Sequence, residues 1–296
     1  MAPASEGPVL GMENVSVHFR QKTGTVRAVE DVSLSVGKGE IVGLVGESGS
    51  GKSTLARCAV RLLKPTAGTV RILGDDVTHL SQRGMRPLRR RAHMVFQDSY
   101  SAMNPRMKIG DVVAEPLRQH RVGNRQDRRD RVVEMLTRVG LRADHATRSP
   151  HELSGGQRQR IGIARALILS PELLVADEPV SALDVSIQAA ILNLLVDLQR
   201  ELGFSCLFIT HDLSVVEHVS NRIAVMYLGR VVEQGTREQL FARPEHPYTQ
   251  ALMSAAPYPD PVRQRSRQPV VLAGDVPSPL NPPVGCGFHS RCPLAI

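Results

Sequence analysis

Tryptophan is absent from this 296-residue sequence, and aromatic residues make up only 3% of it. That removes the stacked aromatic platforms on which single-strand nucleic-acid binders lay their bases. No apolar run approaches the roughly 18 residues of a membrane span. The N-terminal MAPASEGPVL lacks the basic and apolar regions of a signal peptide. The expectation is a soluble chain that stays in the cytoplasm. Cysteine is scarce too: four residues without a regular framework fit a reducing compartment rather than a disulfide-stapled fold. Only Cys286 and Cys292 lie close together. No internal repeat is visible.

What is present is a core-forming apolar fraction of 42% and a net charge of +8. The length suits one main domain with appendages. The charge comes largely from arginine, concentrated at 83–91 (RGMRPLRRR) and 125–131 (RQDRRDR). Such runs can face nucleic acid, an anionic membrane surface or water alone. Solvated helix faces are the simplest reading, with membrane proximity next.

The most specific stretch is Gly46-Glu47-Ser48-Gly49-Ser50-Gly51-Lys52-Ser53-Thr54, which fits G-x-x-x-x-G-K-[ST] without mismatch. The preceding EIVGLV reads as a short buried strand. After the loop, Leu55, Ala59, Leu62 and Leu63 recur at helical spacing. A strand that turns through three glycines into a helix aims several N–H groups and a helix dipole at one spot. Glycine is required where a Cβ would keep the backbone off a phosphate. In such a loop Lys52 reaches the β- and γ-phosphates of a nucleotide, and the Ser53 hydroxyl holds Mg²⁺. The loop alone says only that the chain binds a nucleoside triphosphate.

Along the chain, 32–36 (VSLSV) and 69–73 (TVRIL) have the pattern of antiparallel strands. A helical insertion covers about residues 98–156. Helix 157–169, the buried strand 173–176 and the next strand 206–210 restore an α/β alternation. Ile187, Ala190, Ile191, Leu194, Leu195, Leu198 and Leu202 form one apolar helix stripe. A hairpin turns at Leu228-Gly229-Arg230. From Pro244 onward proline is frequent and periodicity fades, which predicts an irregular surface tail.

Two further stretches carry chemistry. The apolar run LLVADE ends in Asp177 and Glu178. Strand alternation would send these carboxylates to opposite sides, Asp177 toward Mg²⁺ and Glu178 toward the attacking water as general base. Leu153-Ser154-Gly155-Gly156-Gln157 makes a second anion-binding helix start, although one phosphate loop already serves this chain's triphosphate.

With that element the sequence resembles the ATP-binding subunits of ABC transporters, in which LSGGQ closes over the γ-phosphate held by the opposite subunit. The resemblance spans nearly the whole chain. It includes Gln97 in Val95-Phe96-Gln97-Asp98, the D-loop Ser181-Ala182-Leu183-Asp184, and His211 in Ile209-Thr210-His211-Asp212. It implies an α/β P-loop NTPase (RecA-like) core with an antiparallel β subdomain, the helical insertion and an irregular C-terminal extension. The ABC ATPase domain would run over 8–245 and the extension over 246–296. Gln97 would ligate Mg²⁺, His211 would hold the γ-phosphate, and Phe19 is a candidate to stack on adenine, with ordinary packing as the alternative. Two subunits would close around two ATP molecules and reopen on hydrolysis.

Residues 96–107 (FQDSYSAMNPRM), the stretch 226–261 and the tail piece GCGFHSRCP resemble the ATPases of dipeptide and oligopeptide importers, nearer the second of two paired ATPases. The implied partners are a second ATPase in a heterodimer, two transmembrane permeases and an extracytoplasmic solute-binding protein. The chain would then be peripheral on the cytoplasmic face of the membrane, touching it through the permeases. Nickel and other solutes are the alternative cargo. A soluble ABC ATPase acting on nucleic acid is a more distant rival, since such chains typically carry duplicated modules, a long coiled coil or complete zinc modules. In some members of the family the tail cysteines hold an iron–sulfur cluster; two thiolates fall short of four ligands, and no metal is assigned to them here.

Overall fold

The computed structural model describes residues 7–98, 103–181, 183–255, 272 and 274–295. Residues 99–102 and 256–261 of the importer-like stretches, and Ala182 of the D-loop, lie outside the described residues. In chain order the elements are β1 (Leu10–Gln21), β2 (Gly24–Val36), β3 (Ile41–Val45), α1 (Lys52–Ala59), β4 (Ala67–Ile72), β5 (Asp75–Asp76), β6 (Ala92–Val95), α2 (Ile109–Gln119), α3 (Arg125–Arg138), α4 (Gly155–Leu167) and β7 (Leu173–Asp177). They continue with α5 (Val185–Leu202), β8 (Ser205–Thr210), α6 (Leu213–Val219), β9 (Arg222–Tyr227), β10 (Arg230–Thr236), α7 (Arg237–Ala242) and α8 (Pro247–Ala255). Two compact units result, one from 1–80 with 207–296 and the other from 81–206. Among the described residues, no helix is long and apolar enough to cross a membrane.

In the first unit β1 pairs antiparallel with β2 and β4, and β5 adds an edge to β4. The two strands expected at 32–36 and 69–73 lie here, their alternate Val32, Leu34, Val36, Val70 and Ile72 turned inward and buried. Parallel pairing of β3 with β9, and the β9–β10 hairpin, build the layer that carries the phosphate loop. All five residues of β3 are buried, as a strand covered on both faces requires.

Three sequence expectations shift. Helix α1 stops at Ala59, because Arg61 adopts a left-handed φ of 55°. Its guanidinium turns inward, Nε donating to the Val77 carbonyl at 2.6 Å and Nη2 to that of Leu80 at 3.1 Å. The helical spacing therefore ends before Leu62 and Leu63, and Leu62 is left 46% exposed. The tail expected to be irregular and superficial includes α8, where Tyr248 and Thr249 are fully buried. Proline misdirects the reading there: Pro247 takes the first helical position, where its missing N–H has no helical partner to lose. Residues 274–295 carry only a short 3-10 turn, His289–Arg291, yet Phe288 before it is buried.

In the second unit β6 and β7 pair in parallel and α2 packs against α3 and α4. Helix α3 starts on a capping box: the Asn124 side chain accepts from the N–H of Gln126 and Asp127, and Asp127 answers to the Asn124 N–H. Arg125, Arg129 and Arg131 of this basic run are exposed on the helix. The third shift concerns α5. Ile191, Leu195 and Leu198 are buried, but Ala190 is exposed and Ile187 only half-buried, so the apolar stripe starts a turn later than its spacing implied.

His93 on β6 supplies a pH-dependent term. Burial first, and the neighbouring His120 second, hold its imidazole down to about 4. The unfolded chain titrates near pH 6.5, so its unfolded form binds the proton first. The stability this group supports is complete above about 6.5 and is lost as pH falls toward about 4, by up to roughly 3 kcal/mol. Urea unfolding at pH 7 and pH 4.5 checks this. His93→Leu should flatten the difference, and an equally steep acid limb in that variant would show that other groups cause it.

Candidate nucleotide site

The phosphate loop leaves β3 at Gly46 and enters α1 at Lys52. Gly51 has φ 103°, and a Cβ there would collide with the Ala28 carbonyl, so only glycine fits this helix entry. Lys52 is 4% exposed. Its ammonium donates to the carbonyls of Gly46 at 2.7 Å and Glu47 at 2.8 Å, and reaches Ser50 Oγ at 3.5 Å. A cation is thus held over the loop. Ser53 and Thr54 lie half-buried on the first turn of α1, while Ser48 and Gly49 are open to solvent. The β9–β10 turn supports the loop from behind: the Gly229 N–H donates to Ser50 at 2.9 Å, and the Gly229 carbonyl accepts from Glu30.

Sequence reasoning missed a second support. The Tyr248 hydroxyl accepts the Glu47 N–H at 2.9 Å, and Arg291 pairs with the Glu47 carboxylate. Tyr227, Tyr248 and Phe288 pack around this point with ring centroids 4.7 to 5.5 Å apart. In a chain with only six Phe and four Tyr, three of them in one cluster is the signal that composition offered. Burial and the Glu47 charge both raise the Tyr248 phenol well above its ordinary range, so it stays protonated.

Elsewhere in this unit His211 is exposed immediately after β8, and Asp212 behind it caps α6 by accepting the Ser214 N–H at 2.8 Å. Phe19 sits on β1 opposite Val26 and is 38% exposed.

In the second unit β7 delivers Asp177, 3% exposed, at its last position. Glu178 parts company with it differently from the expected strand alternation. The strand ends at Asp177, and Glu178 turns into a left-handed φ of 45°, a costly conformation for a residue with a side chain. Its carbonyl accepts from Ser181 Oγ at 3.2 Å, which fixes the turn. Gln97 and Glu178 are brought together, the Gln97 amide donating to Glu178 Oε2 at 2.9 Å.

Ser154 and Gln157 close a capping box at the start of α4: the Ser154 hydroxyl accepts the Gln157 N–H at 3.3 Å, and the Gln157 side chain accepts the Ser154 N–H at 3.0 Å. Ser154 and Gly155 are exposed, and Gly156 is buried because a Cβ there would lie 2.6 Å from Ile187 Cγ2 on α5. The signature and the helix that follows the D-loop are therefore packed together. Val185, the first residue of that helix, stands 82% exposed. In the tail, Cys286 is exposed and Cys292 half-buried.

The family model described as ABC transporter matches residues 29–181, and that of the oligopeptide/dipeptide transporter C-terminal region matches residues 232–296. A probable peptide ABC transporter ATP-binding protein of Sinorhizobium fredii is 53% identical over 295 residues, covering 97% of this chain and 83% of that protein. The oligopeptide transport ATP-binding protein OppF of Salmonella typhimurium is 52% identical over 297 residues, covering 97% of this chain and 89% of that protein. A dimeric ATP-binding cassette, solved in a post-hydrolysis state bound to ADP and phosphate, matches with a TM-score of 0.71 and 32% identity, over 77% of this chain and 98% of that one.

Proposed function

Since this chain belongs to the ABC transporter family and is one of its ATP-hydrolysing subunits, we propose that it energises import of dipeptides or oligopeptides across a cytoplasmic membrane. The observation that carries the cargo class is the match of residues 232–296 to the oligopeptide/dipeptide transporter tail. Its partners are two permeases, an extracytoplasmic solute-binding protein and a second ATPase with which it forms a heterodimer. It sits on the cytoplasmic face through the permeases. The ATPase domain is 8–245, with its helical insertion at about 98–156, and the extension is 246–296.

The residues divide the work as follows. Gly46, Glu47, Ser48, Gly49, Ser50, Gly51, Lys52, Ser53 and Thr54 cradle the β- and γ-phosphates with backbone N–H groups and the Lys52 ammonium. Phe19 stacks on adenine. Ser154, Gly155, Gly156 and Gln157 offer the exposed start of α4 to the ATP of the partner ATPase. His211 holds the γ-phosphate, and Glu178 takes the proton of the attacking water. Mg²⁺ would be held by the Ser53 hydroxyl, Gln97 and Asp177, and would supply charge neutralisation at the phosphates. The donor set fits a hard cation: all three offer oxygen, and Gln97 spends its amide nitrogen on Glu178, which leaves the amide oxygen as acceptor.

A pull-down of the tagged Glu178→Gln chain with ATP from native membranes tests the proposal. Recovery of two permeases, a second ATPase and a solute-binding protein is the expected result. Ribosomes or nucleic acid without permeases would overturn transport, and recovery of only further copies of this chain would overturn the heterodimer.

A further inference from the structure

The phosphate loop of this chain carries its own negative charge. Glu47 fills a position that the loop pattern leaves open, on the segment whose task is to receive a triphosphate. An unanswered carboxylate there opposes the ligand.

The tail answers it. Arg291 Nη1 donates to Glu47 Oε2 at 2.9 Å and Nη2 to Oε1 at 3.3 Å, the two-pronged pairing that only a guanidinium makes. The Arg291 side chain is 9% exposed and that of Glu47 29%, so water screens the pair weakly. The guanidinium carbon lies 5.9 Å from the centre of the Tyr227 ring, which favours a cation. Tyr248, from α8, takes the N–H of the same glutamate. Lys52 takes its carbonyl. Every polar group of Glu47 is thereby engaged, two of them by the C-terminal region.

We propose that Arg291 is a positioning residue of the ATPase that acts through Glu47, cancelling the charge of that carboxylate on the phosphate loop, so that the C-terminal turn sets the affinity for ATP. The inference rests on ATP binding at Lys52 and goes beyond it. A side chain 244 residues from the loop, in a segment with no nucleotide motif, becomes part of the nucleotide site's support.

The test is a titration of the full chain with fluorescent MANT-ATP and Mg²⁺, for the parent, Arg291→Gln, Arg291→Lys, Glu47→Gln and the Glu47→Gln/Arg291→Gln pair. Arg291→Gln should weaken ATP roughly tenfold, and ADP less, since the exposed carboxylate acts on charge. Arg291→Lys should recover part of the affinity. The double variant should return to within about threefold of the parent, because removing the carboxylate removes what Arg291 compensates. Melting of each nucleotide-free chain separates misfolding from this effect, and the double variant keeps the question decidable if Arg291→Gln alone is unstable. ATP affinity unchanged in Arg291→Gln would overturn the proposal. So would a double variant as weak as the single one, since a turn that merely props the fold is not rescued by Glu47→Gln. A parent that binds no ATP, or a Lys52→Ala chain that binds it as well as the parent, would instead overturn the ATP reading on which the proposal stands.

Discussion

Glu178→Gln is expected to keep ATP binding and to lower hydrolysis by about a hundredfold to ten-thousandfold, the usual contribution of a positioned general base. The substitution is nearly isosteric. An amide oxygen at position 178 still accepts from the Gln97 side chain, which donates to Glu178 Oε2 at 2.9 Å in the native chain. The left-handed turn at 178 is held by the carbonyl of that residue and Ser181, neither of which changes. What disappears is a basic oxygen to take the proton from water. Phosphate release measured alongside MANT-ATP binding checks the expectation, and with the second ATPase present ATP should shift the variant to a stable heterodimer in size-exclusion chromatography. Turnover near the parental rate would show that Glu178 is not the base.

The second large effect is expected from Lys52→Ala, which should weaken ATP binding by roughly tenfold to a hundredfold, the value of one charge-assisted hydrogen bond to phosphate. The structure explains why a long cation is needed and why it is affordable. At 4% exposure the ammonium has little water, and the carbonyls of Gly46 and Glu47 replace it at 2.7 and 2.8 Å. The charge is thus solvated by the loop itself and already in place for a phosphate. Because alanine also removes those two bonds, melting of the nucleotide-free chain must accompany the titration. Unchanged affinity in a folded variant would count against the role of Lys52.

The phosphate loop, LLVADE and LSGGQ were legible because each is local. A strand end, a turn and a helix start lie within a few residues, and glycine or a capping box announces them. The antiparallel strands were legible from alternation, as Val32, Leu34 and Val36 show. What the pattern hid falls into two kinds. Some failures were single-residue backbone events: the left-handed φ of Arg61 ends α1 although apolar residues continue, and that of Glu178 ends the alternation on which its orientation was argued. Others were long-range pairings. Neither Arg291 nor Tyr248 has a neighbour in sequence that hints at Glu47, since the contact forms only when the tail is packed. Apolar spacing on α5 likewise says which residues share a face, not how far along the helix that face is covered.

The engagement of Glu47 by Arg291 also orders events in time. Chains are made from the N-terminus, so the loop leaves the ribosome with its carboxylate long before the guanidinium 244 residues later is joined to the peptide. Between the addition of His211 and that of Arg291 the nascent protein holds the whole set of ATPase motifs while the charge of the loop is still open. A product cut short between residues 212 and 290 is fixed permanently in that immature condition, with every motif made and the guanidinium that answers Glu47 missing.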